Sequence, residues 1–229
     1  MFDEQVEQQR AKDPPKENLF LCIILVAIIA YLAYQLNTQP HGKTIYYPMD
    51  PKVEPKQLPI STEEYPPFEV ETTNATWTIS PRATFDITAR VLGAKDYQMD
   101  WQSHLSPVDL ALGWSILSDE KVDEWLNWGQ SERWYWYRWR DGSPIQGKDI
   151  IFNSSNIHMI PATDNLKRTL VRLSKNDIVK MEGFLVDIDT YLNGQPFTWK
   201  TSTSRFDTGK DSCEIFYVNK IIVGDKSYE

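Results

Sequence analysis

The stretch Leu19–Leu36, LFLCIILVAIIAYLAYQL, decides the architecture of this chain. It contains no charged side chain. As an α-helix with about 1.5 Å rise per residue it measures roughly 27 Å, close to the thickness of the hydrocarbon core of a bilayer. Polar residues do not recur at helical spacing, so the run has no solvent face of the kind found on a surface helix. It therefore predicts one transmembrane helix over residues 19–36.

The residues before this helix favour an uncleaved anchor. They include five acidic residues and the pair Pro14–Pro15, whereas a signal peptide has a short basic region and a small-residue cleavage site. Three basic residues precede the helix and only Lys43 follows it closely. That bias favours a cytoplasmic N-terminus. We expect a cytoplasmic tail over residues 1–18 and a single pass through a bacterial inner membrane.

Charge and cysteine content narrow the class of protein further. The chain carries a net charge of −8 and no basic block, which argues against binding to a phosphate backbone as its main task. Cys22 lies inside the apolar run and Cys213 is alone in the rest of the chain, so a disulfide within the domain is excluded. A periplasmic domain is compatible with this usage, whereas secreted animal domains more often contain several disulfides.

A proline-rich segment follows the helix. Residues 37–68 contain seven prolines and lack apolar periodicity. Proline removes backbone donors and favours extended geometry. We interpret the segment as a semi-stiff linker, or alternatively as a docking strip for a partner. The remaining residues, 69–229, are enough for one self-sufficient domain.

The domain reads as α+β, with mainly antiparallel strands. Period-two alternation predicts strands over 84–92, 133–140, 177–189 and 213–223. Helix signals begin at Ser106, at Asp119 and at Thr163. We expect a small barrel or curled sheet with two or three helices. The pattern from Asn176 onward is analogous to that of an OB-fold.

Four strings resemble an uncharacterised family of bacterial single-pass membrane-anchored proteins. They are SPVDLALGW (106–114), RWYWYRW (133–139), NIHMIPA (156–162) and SRFDTGKDSCE (204–214), the last following the pattern SRxDTGxxxCE. The resemblance extends over most of the domain, from about Trp77 to Val223. Because the family has no known activity, the resemblance implies only a bacterial origin and one anchored domain.

Aromatic residues are the first candidate binding group. Seven of the nine tryptophans fall between Trp101 and Trp139. On a strand, Trp134, Trp136 and Arg138 share one face, and Tyr135, Tyr137 and Trp139 share the other. One face belongs to the core. The second is either covered by the helix predicted near Lys121, or exposed for stacking on sugars, bases or a protein partner.

Two polar residues near the C-terminus form the second candidate group. Arg205 and Asp207 lie in the string SRFDTG. Arg205 can hold an anionic group such as a carboxylate, or can pair with Asp207. An ordinary hairpin turn at Asp-Thr-Gly explains the string equally well.

One pair of residues is a candidate for catalytic chemistry. Cys213 with His158 supplies a thiol and a base, but no local signature of a cysteine enzyme surrounds them, and both residues are compatible with simple packing. The histidines lack partners at metal-ligand spacing, so we expect neither a metal nor a cofactor.

These observations lead to three hypotheses of different classes. The favoured one is a periplasmic binding or accessory (scaffold) protein of an envelope assembly, with other envelope or membrane proteins as partners and the bilayer bound through residues 19–36. The first alternative is an envelope hydrolase or transferase that uses Cys213 with His158. The second is an OB-like binder of single-stranded nucleic acid, which the acidic charge and the expected topology oppose.

Overall fold

The computed structural model describes residues 16–204 and 213–229. Its strands are β1 (Lys43–Thr44), β2 (Lys56–Pro59), β3 (Phe68–Glu71), β4 (Thr76–Asp96), β5 (Val108–Gly113), β6 (Leu126–Ser131), β7 (Trp134–Trp139), β8 (Ser154–Pro161), β9 (Ile178–Leu192), β10 (Gln195–Trp199), β11 (Glu214–Val223) and β12 (Lys226–Tyr228). Its α-helices are α1 (Lys16–Thr38), α2 (Glu120–Asp123), α3 (Gly147–Asn153) and α4 (Asp164–Leu170). Short 3-10 helices span Trp101–His104 and Ser115–Ser118.

The N-terminal apolar run forms helix α1. The chain divides into two compact units, Met1–Gln39 and Pro40–Glu229. Within the first unit, Leu19–Thr38 has a mean hydropathy of 2.5. In the described part of the chain it is the one helix long and apolar enough to cross a membrane. The prediction of an apolar helix at this place is confirmed.

The second unit is a sheet-rich domain, and most of its strand pairs are antiparallel. β4 is 21 residues long and alternates between fully buried and partly exposed side chains along most of its length, as period-two patterning predicts. The strands expected at 84–92, 133–140, 177–189 and 213–223 are all present, as β4, β7, β9 and β11. The predicted α+β class with mainly antiparallel strands is therefore confirmed.

The pairing order of the main sheet returns to its starting strand. β4 pairs with β5, β5 with β8, and β8 with β11, and the last of these pairs is parallel. β11 pairs with β9, and β9 pairs with β4. These five strands supply most of the largest hydrophobic cluster, whose members include Phe85, Leu110, Met159, Met181 and Phe216.

A close approach of two backbones marks the β9–β11 pair. Gly183 lies opposite Val218, and a Cβ added at Gly183 would lie 2.0 Å from the backbone oxygen of Tyr217. Since a real Cβ never comes this close to a backbone oxygen, only glycine fits here.

The segment 37–68 differs from the expected linker. From Pro40 onward it belongs to the domain's compact unit. β1 pairs with β12, β2 pairs with β4, and the backbone N–H of Ser115 donates to the oxygen of Pro51. Short edge strands pair through backbone groups that need no side-chain periodicity. For that reason the proline-rich sequence looks unstructured although it is docked.

Two of the three predicted helices also differ from the elements that the structure contains. Thr163 caps α4 by accepting a hydrogen bond from the N–H of Leu166, which confirms the helix predicted there. The helix predicted to begin at Asp119 is only four residues long, Glu120–Asp123, because strand β6 begins at Leu126. The helix predicted at Ser106 is wrong, because Val108–Gly113 is strand β5, wholly buried between β4 and β8. Tertiary pairing overrides the local capping signal here.

Candidate functional site

The hairpin β6–β7 carries the aromatic residues and turns through two non-glycine residues. Ser131 pairs with Trp134, so Glu132 and Arg133 form a two-residue loop. Their φ angles are +51° and +67°. Positive φ at both central positions defines a type I′ turn, which normally uses Asn and Gly. Such strained residues persist where surrounding contacts hold them, and Arg133 has many such contacts.

Arg133 anchors the turn to the sheet. Its Nε and Nη2 donate to the two carboxylate oxygens of Asp100 at 2.9 and 2.8 Å, and its Nη1 donates to Asp109 Oδ1 at 2.9 Å. Nη1 also donates to the backbone oxygen of Ser106 at 2.9 Å, and the guanidinium lies 3.9 Å from the ring centroid of Tyr97. Burial opposes the charge of Arg133, but the hydrogen bonds and charges of Asp100 and Asp109 outweigh it and raise the pKa of the guanidinium.

The main chain of the turn is held as well. The backbone N–H of Arg133 donates to the Tyr97 hydroxyl at 3.0 Å, and its backbone oxygen accepts from Asn156 Nδ2 at 3.1 Å. Gln130 of β6 donates to Asn156 Oδ1 at 2.8 Å. Side-chain hydrogen bonds of Asn156 therefore fix the hairpin to strand β8, and the ion pairs of Arg133 fix it to Asp100 and to Asp109 of β5.

Asp109 and His158 meet beneath the turn. They are directly paired across β5 and β8, and their side chains are 0% and 2% exposed. His158 Nδ1 lies 2.9 Å from Asp109 Oδ1 but does not meet hydrogen-bond geometry there. The contact is therefore close but is not a hydrogen bond, because distance without alignment does not make one. The His158 ring packs against Trp199 with 4.6 Å between centroids.

The two residues of the predicted catalytic pair are not aligned: His158 lies on β8, and Cys213 lies just before β11. His158 pairs with Ile215 in the parallel β8–β11 ladder. Cys213 precedes Ile215 by two residues, or about 6.6 Å along a strand. A catalytic acid orients its histidine through a hydrogen bond to Nδ1, and the Asp109–His158 contact lacks that geometry. Nothing in this arrangement favours the hydrolase or transferase hypothesis.

The predicted aromatic residues come together on one exposed face. Trp134 and Trp136 are 41% and 46% exposed, and Arg138 is exposed beside them. Asn127 and Ser131 of β6 lie opposite Arg138 and Trp134 and are also exposed. We call these five side chains the hairpin outer face. The helix predicted near Lys121 is the four-residue α2, and it leaves both indoles accessible.

The opposite face of the hairpin packs on the domain. Trp128 stacks on Tyr135 with 5.8 Å between centroids and 9° between planes, and it meets Tyr137 edge-on at 5.6 Å. Trp128 Nε1 donates to Asp123 Oδ1 at 2.6 Å. The Tyr135 hydroxyl lies 3.2 Å from Ser154 Oγ, and burial raises the pKa of Tyr135 to about 12. These contacts support the hairpin outer face from below.

Trp139 does not follow the alternation predicted for its strand. It shares parity with Tyr135 and Tyr137 but is 47% exposed, since β7 ends there. Its ring meets Tyr137 edge-on at 5.2 Å.

Two of the predicted binding residues, Arg205 and Asp207, lie outside the described residues. Cys213, where the description resumes, is half-buried, and the next residue, Glu214, is buried and accepts a hydrogen bond from Ser155 Oγ. Among the described residues no group of three or more His, Cys, Asp or Glu side chains could hold a metal ion.

Sequence reasoning missed the residues that position the hairpin. Asp109 lies within the helix predicted to begin at Ser106, and Arg133 is the first residue of the strand predicted over 133–140, so neither stands out as a positioning residue in the sequence. One signal in the sequence could have found them. Glu132 and Arg133 stand between two aromatic strands, where a two-residue turn normally has Asn and Gly, so their presence indicates that other residues hold the turn in place.

Comparisons with protein-family models, with curated proteins and with solved structures return no match.

Proposed function

We propose that this protein is a membrane-anchored binding protein of the bacterial cell envelope, which acts as an accessory or scaffold for an envelope assembly. Helix α1 is the anchor, the N-terminus lies in the cytoplasm, and the domain lies in the periplasm. The apolar helix supports the anchor. The excess of Lys and Arg before the helix supports the orientation. The family resemblance of the domain supports the bacterial origin.

The hairpin outer face is the binding surface in this proposal. The observation that carries it is the exposure of two neighbouring indoles on a strand whose other face is packed. Tryptophan and arginine are the residue types that dominate binding hot spots. A surface fixed before binding loses less conformational entropy when it binds. The contacts of Trp128, Tyr135 and Arg133 supply that rigidity.

We further propose that the domain is a five-stranded barrel of the OB type. Support comes from the pairing order β4–β5–β8–β11–β9–β4, from the parallel β8–β11 pair, and from helix α4 between the third and fourth of these strands. Nucleic-acid binding, which some OB-folds perform, is a second candidate. The net charge of −8 opposes it.

Topology and binding are tested separately in the native host. Alkaline phosphatase fused after Glu229 should be active, and a fluorescent protein that folds only in the cytosol should stay dark there. The opposite pattern would overturn the periplasmic location.

For binding, a photocrosslinking amino acid replaces Trp134 in the full chain. Tyr191, an aromatic residue that is 74% exposed on β9, is the matched control position. Adducts with an envelope component are expected at position 134 and not at position 191. Equal labelling at both positions, or none at 134, would contradict a binding role for this face. A Cys213→Ser variant with an unchanged cellular phenotype would remove the enzyme alternative.

A further inference from the structure

Trp136 lies flat on the hairpin. It pairs with Gly129 across the two strands. A Cβ added at Gly129 would fall 2.0, 2.3 and 2.6 Å from Trp136 Cζ2, Cε2 and Cη2. The indole therefore occupies the space that a side chain at position 129 would fill. One ring face rests on the backbone, and the indole remains 46% exposed.

Polar groups surround this aromatic platform. The guanidinium of Arg138 lies over the ring of Trp136, 5.1 Å from its centroid, and the indole stays 46% exposed with the arginine in this position. Asn127 and Ser131 provide an amide and a hydroxyl on the neighbouring strand of the same face. Trp134, two residues from Trp136, adds a second indole about 6.7 Å along the strand. The face thus combines two exposed aromatic rings with polar groups, of which Arg138 lies over Trp136 and Asn127 and Ser131 lie on the neighbouring strand.

We propose that the hairpin outer face binds a glycan strand by stacking its pyranose rings on Trp136 and Trp134. The proposal rests on the proposed function, in which this face is the binding surface. A pyranose ring presents an apolar face of C–H groups, and its hydroxyls point outward around the ring. Such a ring matches the exposed part of a flat indole, with Asn and Ser side chains on the neighbouring strand and the mobile end of Arg138 available to donate to the sugar hydroxyls.

The geometry disfavours two other ligands that bind exposed aromatic residues, a lipid surface and single-stranded nucleic acid. Tryptophans that insert into a lipid surface must project from the protein to reach the interface, whereas Trp136 lies against its own backbone. Single-stranded nucleic acid stacks on aromatic rings but also requires a positively charged groove. Here Arg138 is accompanied by Glu132 in the adjacent turn, and the whole chain carries −8. A neutral sugar needs no such groove.

The test uses the purified full-length protein in a detergent without a sugar headgroup. The probe is a linear hexamer of β-1,4-linked N-acetylglucosamine, titrated by calorimetry. We expect a dissociation constant between about 0.01 and 1 mM, as suits an open site with few contacts. Trp136→Ala should weaken binding about tenfold or more, since each stacked ring contributes that much. Tyr191→Ala, which removes an exposed aromatic elsewhere, should change the affinity less than twofold.

A second pair of variants tests the flat seating itself. Gly129→Val keeps Trp136 but displaces its ring, so binding should fall about as much as in Trp136→Ala. Trp136→Phe keeps a smaller aromatic platform and should lose only part of the affinity. Near-ultraviolet circular dichroism and thermal melting show whether each variant is folded.

Three results would overturn the glycan assignment. The first is that the wild type gives no heat of binding when the probe reaches about 10 mM, tenfold above the weakest expected dissociation constant. The second is that Trp136→Ala leaves the affinity unchanged. The third is that Trp136→Ala and Tyr191→Ala lose affinity equally. If position 134 still captures an envelope protein in cells, the proposed function survives and only the glycan assignment fails. If both experiments are negative, both proposals fail.

Discussion

Replacing Arg133 with methionine should destabilise the domain far more than the same change at Arg138, five residues away. The Arg133 guanidinium forms ion pairs with Asp100 and Asp109 at 2.8 and 2.9 Å. The Asp109 side chain is fully buried, whereas that of Asp100 is 33% exposed. Removing one partner of a buried pair costs about 3–5 kcal/mol, because the other charge stays buried. The more exposed Asp100 contributes at most about 1 kcal/mol.

We therefore expect Arg133→Met to lower the free energy of unfolding by about 3–5 kcal/mol. That is a large part of the 5–15 kcal/mol typical of a domain. Arg138→Met, the matched control on the exposed face of the same hairpin, should stay within about 0.5 kcal/mol of the wild type. Since the penalty comes from the stranded carboxylate, adding Asp109→Asn to Arg133→Met should recover about 2 kcal/mol.

Urea unfolding of the full chain in detergent, followed by tryptophan fluorescence and near-ultraviolet circular dichroism, measures these differences. Two results would refute the reasoning. One is a loss below about 1 kcal/mol in Arg133→Met, the level of an exposed ion pair. The other is an Asp109→Asn double variant that is no more stable than the single one.

Three further changes give independent tests. Gly183→Ala should cost about 3 kcal/mol or more, since its Cβ would meet the Tyr217 backbone oxygen at 2.0 Å. Gly147→Ala, whose Cβ has ordinary contacts, should be nearly neutral, so equal urea midpoints for the two would contradict this. Burial raises the pKa of Tyr135 from 10 to about 12 in the folded protein. The neutral tyrosine therefore contributes its full share of the folding free energy below pH 10, and that share is lost as the pH rises through 12. Tyr135→Phe should reduce the alkaline loss of stability by on the order of 2–3 kcal/mol, and an unchanged slope between pH 10 and 12 would count against it. Thr163→Ala removes the cap of α4 and should cost about 1 kcal/mol, whereas Thr163→Ser should cost less in the same urea assay.

Non-local contacts explain why the predicted helix at Ser106 and the predicted linker over 37–68 differ from the structure. Asp109 follows Ser106 and Pro107 and carries every local sign of a helix start. Its strand conformation depends on pairing with β4 and β8, which join it from elsewhere in the chain. The docking of residues 40–68 likewise depends on backbone edges of β4 and β12. Composition and periodicity describe neighbouring residues only, so they do not show which distant strands will pair with a segment.

The amino-acid sequence alone determined the apolar helix and the main strands. Length, hydropathy and alternation are properties of neighbouring residues, and they fix Leu19–Leu36 and the buried positions of β4 without reference to the rest of the fold. Which face of β7 is exposed was decided only by the tertiary structure. Both faces are aromatic, so burial preference cannot choose between them. The choice depends on the Glu132–Arg133 turn, which the buried carboxylate of Asp109 holds in place from another strand.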